Sequence, residues 1–365
     1  MAIIRITPTG DGLQDGSSWE NAMAGFNDAE DRPVVPGDIV VADPDTYRET
    51  HTCDVSGEPG NPITFVGDYD GAYGSPHGGT GTPVRITGSD DDITATRNNC
   101  IISSGKDYRT FTGFNFDLSA QNLISIVGNG TTGNNWIVQK SYFGISTQSA
   151  INFSDTGINN LVSNCKFMGG TRGGFGAIYF YGSGELSDRG HVIQNSLFIG
   201  ENDGGVRDAR VGGITIINSK FIGCVHGIRI VTNPAAGQTV TVNNSIFYAN
   251  NTAVRSTTLG FLVENYNSFS GNITARTNVA VGANSNTYPP LFDSRWFFEL
   301  ASRNQKLVSP FDLSSASKLI NVAGTSPTTT DLRGQSVIGA QREWGALEYN
   351  PNLSRGGGIS RGRIV

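Results

Sequence analysis

Six related phrases run along the middle of the chain: WIVQKSYFGI at 136, NLVSNCKFMGG at 160, HVIQNSLFIGEN at 191, ITIINSKFIGC at 214, VTVNNSIFYAN at 240 and FLVENYNSFSG at 261. Their shared Phe falls at Phe143, Phe167, Phe198, Phe221, Phe247 and Phe269, in steps of 24, 31, 23, 26 and 22 residues. Each unit holds short β-type runs broken by Asn and Gly, too small to bury a core alone, so neighbouring copies must stack. The period predicts a solenoid whose coils place like residues above like at the strand spacing of roughly 4.8 Å. Alternation within a unit sends Phe and its apolar neighbours inward. A corner Asn recurs at Asn164, Asn195, Asn218, Asn244 and Asn267. Asn tolerates left-handed backbone and bonds nearby peptide groups, so these residues are expected to form a structural ladder with Phe167, Phe198, Phe221, Phe247 and Phe269.

Composition agrees with an all-β chain: 48 of the 365 residues are Gly, only 3 are Met and 16% are charged, which is poor material for helices. The net charge of −6 excludes a protein that wraps nucleic acid, which needs a concentrated positive surface. Arg is the dominant cation, a residue suited to bidentate contact with carboxylate or sulfate. Cys53, Cys100, Cys165 and Cys224 are far apart, without the spacing of a zinc site, and read as buried thiols. No run reaches membrane-spanning length.

The DGSSWENA and PGDIVVADPDTYRET segments, then GEPGNPITFVGDYDG, resemble the opening of the right-handed parallel β-helix proteins of the pectate-lyase-like superfamily. KLINVAG, TDLRGQ and WGALEY are similar to the closing segment of bacterial surface β-helix proteins. The resemblance implies an all-β fold, a single-stranded right-handed parallel β-helix. It would have an N-terminal cap and first strand in 1–50, the helix in 51–290, a C-terminal closing segment in 291–350 and a flexible Gly/Arg tail in 351–365. This fold carries lyases, glycoside hydrolases, adhesins and virion spikes, so it does not bring an activity with it.

A lyase of this kind needs carboxylates that hold calcium and the substrate's uronate, plus a basic residue that takes the proton beside that carboxylate. GENDGGVRDARVGG, residues 200–213, supplies Glu201, Asp203, Arg207, Asp208 and Arg210, and Arg207, Arg229, Asp203 and Asp208 are the catalytic candidates if the protein is an enzyme. GVR at 205, GIR at 227 and AVR at 253 fall at matching places after the Phe. Arg207, Arg229 and Arg255, with Arg210 and His226 beside them, are therefore expected to form an exposed stripe able to grip an anionic polysaccharide. The same stripe also reads as a solvated face whose Arg stems cover neighbouring coils and whose charge nearby Asp balances. The acidic run SDDD at 89–92 lacks the loop of an EF-hand. Asp188 is a further partner for Asp203 in a glycosidase reading, which requires two facing carboxylates.

The start, MAIIRITPTGDG, has no basic segment followed by a long apolar run, so synthesis in the cytoplasm without a signal peptide is expected. For a fold that acts mostly outside the cell, this leaves two expectations: a secreted protein whose signal peptide has been removed, or, favoured by the tail, a virion or other particle-surface protein that docks on its partners, as a spike, fibre or decoration. The docking residues would be Arg355, Arg361, Arg363 and Ile364 of the tail. No cofactor or metal is expected in that role, and calcium only in the alternative, a polysaccharide lyase. Spike-like members often trimerise along their long axis, so the resemblance allows a homotrimer, although the sequence shows no separate trimerisation domain.

Overall fold

Six successive coils turn on a two-residue corner. Residues 140–141, 164–165, 195–196, 218–219, 244–245 and 266–267 each join a strand of one sheet to a strand of the next. The first residue of every corner, Lys140, Asn164, Asn195, Asn218, Asn244 or Tyr266, has φ between 49° and 55°. Left-handed backbone costs an ordinary residue about 1–2 kcal/mol, and Asn offsets part of this by bonding locally. The Asn195 amide donates to Asn164 Oδ1 at 3.2 Å and the Asn218 amide to Asn195 Oδ1 at 3.4 Å, so the corners are tied together along the axis.

Asn267 departs from the expected ladder. Asn243 pairs with Asn265, so Tyr266 occupies the left-handed place and Asn267 the one after it. The spacing carried the signal: Asn precedes Phe by three residues at Asn164, Asn195, Asn218 and Asn244 but by two at Asn267. Asn267 instead belongs to a second ladder, which continues from its own N–H to Ser285 Oγ at 3.0 Å. Ser196 Oγ accepts from the Cys165 backbone N–H, Ser219 Oγ from Ser196, Ser245 Oγ from Ser219 and Asn267 Oδ1 from Ser245, at 2.8–3.3 Å. Ser196, Ser219 and Ser245 return their own hydroxyl to the carbonyl two residues back. These bonds satisfy the corner's peptide groups, which burial would otherwise leave costly.

The computed structural model describes residues 1–32, 34–127, 133–154, 157–169, 175–182, 189–209, 212–232 and 238–290. The expected closing segment 291–350 and tail 351–365, with Arg355, Arg361, Arg363 and Ile364, lie outside them, as do Asp188 and Arg210. The described strands form three parallel sheets of 11, 9 and 9 strands, a right-handed parallel β-solenoid of about eight turns. The first sheet runs from Ile3–Thr7 through strands such as His191–Gln194 and Ile214–Ile217 to Leu262–Asn265. The second contains Leu197–Ile199 and Lys220–Ile222, and the third Val206–Ala209, His226–Thr232 and Thr252–Arg255. No described helix is long and apolar enough to cross a membrane.

Register turns the sequence period into a core. Phe143, Phe167, Phe198, Phe221, Phe247 and Phe269 pair residue for residue across the second sheet. Their rings stack with centroids 4.6–4.9 Å apart and planes within 8°. Phe116 extends the column. Near-parallel stacking is imposed by the strand spacing, since isolated aromatic pairs favour offset or edge-on contact.

Both ends of the column carry buried charge. At the first coils the helix Gly25–Asp31 lays Phe26 against Tyr47, Phe65 and Phe114, and its Glu30 receives both terminal nitrogens of the buried Arg109. At the far end Glu264 stands inward beneath Val242, and Arg276 beneath Val254. Arg276 donates to Glu264 at 2.7 Å and lies 3.9 Å above the ring of Phe269.

Replacing Phe221 by Ala opens the column between two stacked neighbours and should cost about 3–5 kcal/mol. Leu259→Ala, at a site 65% exposed, should change stability by under about 0.5 kcal/mol. Chemical denaturation midpoints of the two variants check this, and equal shifts would contradict the column as the core.

Candidate functional site

Of the three outer faces, two offer little chemistry. On the first sheet the outward rows from Ile137 to Val263 and from Gln139 to Asn265 contain no charged residue. On the second, Leu197, Lys220, Ile246 and Ser268 form one row and are all buried. The third sheet differs. Its central outward row reads Thr52, Ile102, Ser125, Asn152, Tyr179, Arg207, Arg229, Arg255 and Thr277 on successive coils.

Arg207, Arg229 and Arg255 therefore stack as three adjacent cations, because Val206, Ile228 and Val254 take the inward places before them. The connections beside this sheet vary in length, 169–177, 200–205 and 223–225 on successive coils, while the opposite corners keep two residues. Variable loops on a fixed scaffold are where a fold builds sites. The connection 200–205 brings in Asp203, whose two oxygens accept from Arg229 at 2.6 Å and Arg207 at 3.2 Å. One carboxylate thus bridges two coils. All three groups keep contact with water, at 14%, 28% and 20% side-chain exposure.

Aromatic groups continue the row. The Arg207 guanidinium lies 5.3 Å from the Tyr179 ring centre and 5.7 Å from that of Phe175, within cation–π range. Tyr181, two residues along the strand, is 52% exposed with its ring 6.0 Å from Tyr179. His226 is half-buried at the start of its strand. Burial and the nearby Arg229 push its pKa below the ordinary histidine value, with Asp203 opposing, so it is neutral at pH 7.

Asp208 does not join this group. The alternation that turns Arg207 outward turns Asp208 inward, in register with Phe180 and Ile230. It is buried and accepts the Gly212 backbone N–H at 3.2 Å. Glu201 is buried as well. Calcium would need several carboxylates on adjacent coils. Among the described residues of this face Asp203 stands alone, already holding two guanidinium groups, so the set does not fit calcium.

The acidic run at 89–92 is also neutralised from within. Asp91 Oδ1 accepts backbone N–H groups of Ile93 and Thr94, Asp90 pairs with Arg97, and Asp92 with Arg48 and Arg85. Sequence reasoning missed a cluster in the cap, where potential ligand atoms of Glu30, His51 and Cys53 lie within 4.8 Å of one another. The short spacing His51-x-Cys53 was visible; Glu30 arrives only through the fold. Arg109 occupies both Glu30 oxygens, and burial pushes the Cys53 thiol up to about 12. The cluster is a charge-compensated cap that a cation would have to break.

No family model matches the chain, and no curated protein matches it. Among solved structures it is similar to pectate lyase Pel9A, at 18% identity and TM-score 0.53 over 96% of this chain and 97% of that one. XylC in complex with xylose aligns at 11% identity and TM-score 0.57 over 80% and 68%, and a rhamnogalacturonan lyase at 13% and 0.52 over 79% and 87%. The shared fold is the right-handed parallel β-helix. At these identities the likeness extends to the fold alone, and the stacked Arg row is a property of this chain's own register.

The imidazoles should separate by environment in a proton-detected NMR titration. Hydrogen bonding to Asp43 holds His77 above the ordinary value. Burial and the Arg189 charge bring His191 down to about 3, and burial with the Arg109 charge holds His51 well below the ordinary value. His77 favours the fold while it is charged, a contribution present below about pH 6.5 and lost as pH rises through its folded pKa. The depressed His191 and His51 oppose the fold as pH falls below about 6.5, where the unfolded chain takes up protons that they refuse. Titration of His191 or His51 near pH 6 would contradict the burial of these rings.

Proposed function

We propose that the protein binds an anionic polysaccharide along the outer face of the third sheet. The observation that carries this reading is the register that stacks Arg207, Arg229 and Arg255 on adjacent coils and continues the row into Tyr179, with the exposed Tyr181 two residues along the same strand. Guanidinium groups suit carboxylate or sulfate. The exposed Tyr181 ring suits the apolar face of a sugar. A linear chain laid along the solenoid axis meets one such group per coil, so weak contacts add along its length.

Binding of this kind needs no catalysis, and it fits a structural appendage at a particle or cell surface, such as a virion spike or decoration, with other surface proteins as partners. A trimer would array three such faces around one axis. The second reading is eliminative cleavage of a polyuronate. It is favoured by the neutral His226 beside Arg229, a base next to a group that would neutralise the carboxylate. In that reaction His226 takes the proton from the carbon bearing the carboxylate, a C=C bond forms, the C–O bond to the neighbouring sugar at the β carbon breaks, and the departing oxygen takes a proton from water. Pectate lyase Pel9A and the rhamnogalacturonan lyase share the fold, which keeps this reading open without assigning it.

Calorimetric titration with polygalacturonate or alginate, against a neutral xylan, tests the proposal. Binding to the polyuronates that weakens with salt is expected, with Arg229→Ala and Arg255→Ala each lowering affinity about tenfold, the effect of losing a charge-assisted contact. Equal affinity for the neutral glycan would overturn it. Growth of ultraviolet absorbance from an unsaturated product, lost in His226→Ala, would replace binding alone by cleavage.

A further inference from the structure

The geometry points to Asp203 as an internal stand-in for the ligand's acid group, and we propose that it sets affinity by competing for Arg207 and Arg229. The inference rests on the glycan-binding reading above. Asp203 belongs to the connection 200–205, not to a strand of the face, yet its carboxylate seats between cations of two coils, at 2.6 Å from Arg229 and 3.2 Å from Arg207. An incoming carboxylate or sulfate that spans the same two guanidinium groups would need that place. Arg255, the next cation in register, is exposed and has no carboxylate partner among the described residues. The row thus offers one open cation and two that a ligand reaches by displacing Asp203 into water.

Competition also gives selectivity. A ligand with an isolated negative charge meets Arg255 alone, whereas one with acid groups on successive sugars can hold Arg255 and replace Asp203 on the next coils. The displaced side chain retains its charge and hydration, so the exchange is near balanced, as expected for ion pairs open to solvent. A polymer able to engage several coils at once tips that balance where a monosaccharide acid does not.

Asp203→Asn keeps the shape and removes the competing charge. Affinity for polygalacturonate should rise about three- to tenfold at low salt, and the fall of affinity with salt should steepen. Galacturonic acid monomer should gain more than the polymer, since it lacks the extra contacts that displace Asp203. Asp203→Ser serves as a second variant, and unchanged thermal melting of either shows that the coils are intact. If Asp203 instead orients the arginines, both variants bind the polymer more weakly while Arg255→Ala still weakens the parent protein; that pattern overturns the competitor role and leaves the glycan-binding reading standing. If neither the parent protein nor Asp203→Asn binds any polyuronate, the reading itself falls and the competitor role with it.

Discussion

Six successive coils, from Lys140 to Tyr266, depend on one backbone constraint, a two-residue corner whose first residue holds left-handed φ. Because the corner keeps its length, each strand of the second sheet begins at the same place relative to the first, and the chain cannot slip by a residue without turning its apolar side to water. The Asn amides and the Ser hydroxyls act on this one point from two sides. One set links successive corners, and the other closes the peptide groups within and between them. Stacked phenylalanines follow from that fixed register, and so does the row of arginines on a different sheet. A structural device at one edge of the coil thereby sets the chemistry at another.

A stack has ends, and the ends show where the pattern stops supplying apolar partners. Glu264 and Arg276 fill inward places that valine fills one coil earlier, and they satisfy each other, with Gly282, Ser285 and Asn267 completing the carboxylate's bonds. At the opposite end Glu30 and Arg109 do the same under the helix Gly25–Asp31. Buried pairs of this kind add little net stability over an apolar core, yet deleting one partner leaves a costly buried charge. They define the limits of the column: a further Phe coil laid on Phe269 would have to displace Arg276 from its ring.

Much of this was legible because period and alternation are one-dimensional. The Phe steps fixed the coils, and Val206, Ile228 and Val254 fixed the direction of the arginines that follow them. The same alternation places Asp208 inward, and the unequal Asn-to-Phe spacing separates Asn267 from Asn218. Other features had no such signal. Asp203 lies on a connection, where no periodicity constrains direction, and Glu30 reaches Arg109 from 79 residues away. Tyr179 shares the row with Arg207 only through register, since the two triplets around them have no residue in common.

That distinction bears on what the face can do. A repeated position is shaped first by the repeat, yet the outward row of the third sheet is not repetitive: it passes from Ser125 and Asn152 through Tyr179 to three arginines and then Thr277. Stability does not require arginine there, since Thr277 and Ser125 occupy equivalent places in the same ladder. Three neighbouring cations repel one another, and Asp203 relieves only two of them. A stack that could have used threonine throughout instead concentrates like charge on consecutive coils with aromatic rings at one end, and the proposal of an anionic ligand lying along the axis rests on that concentration.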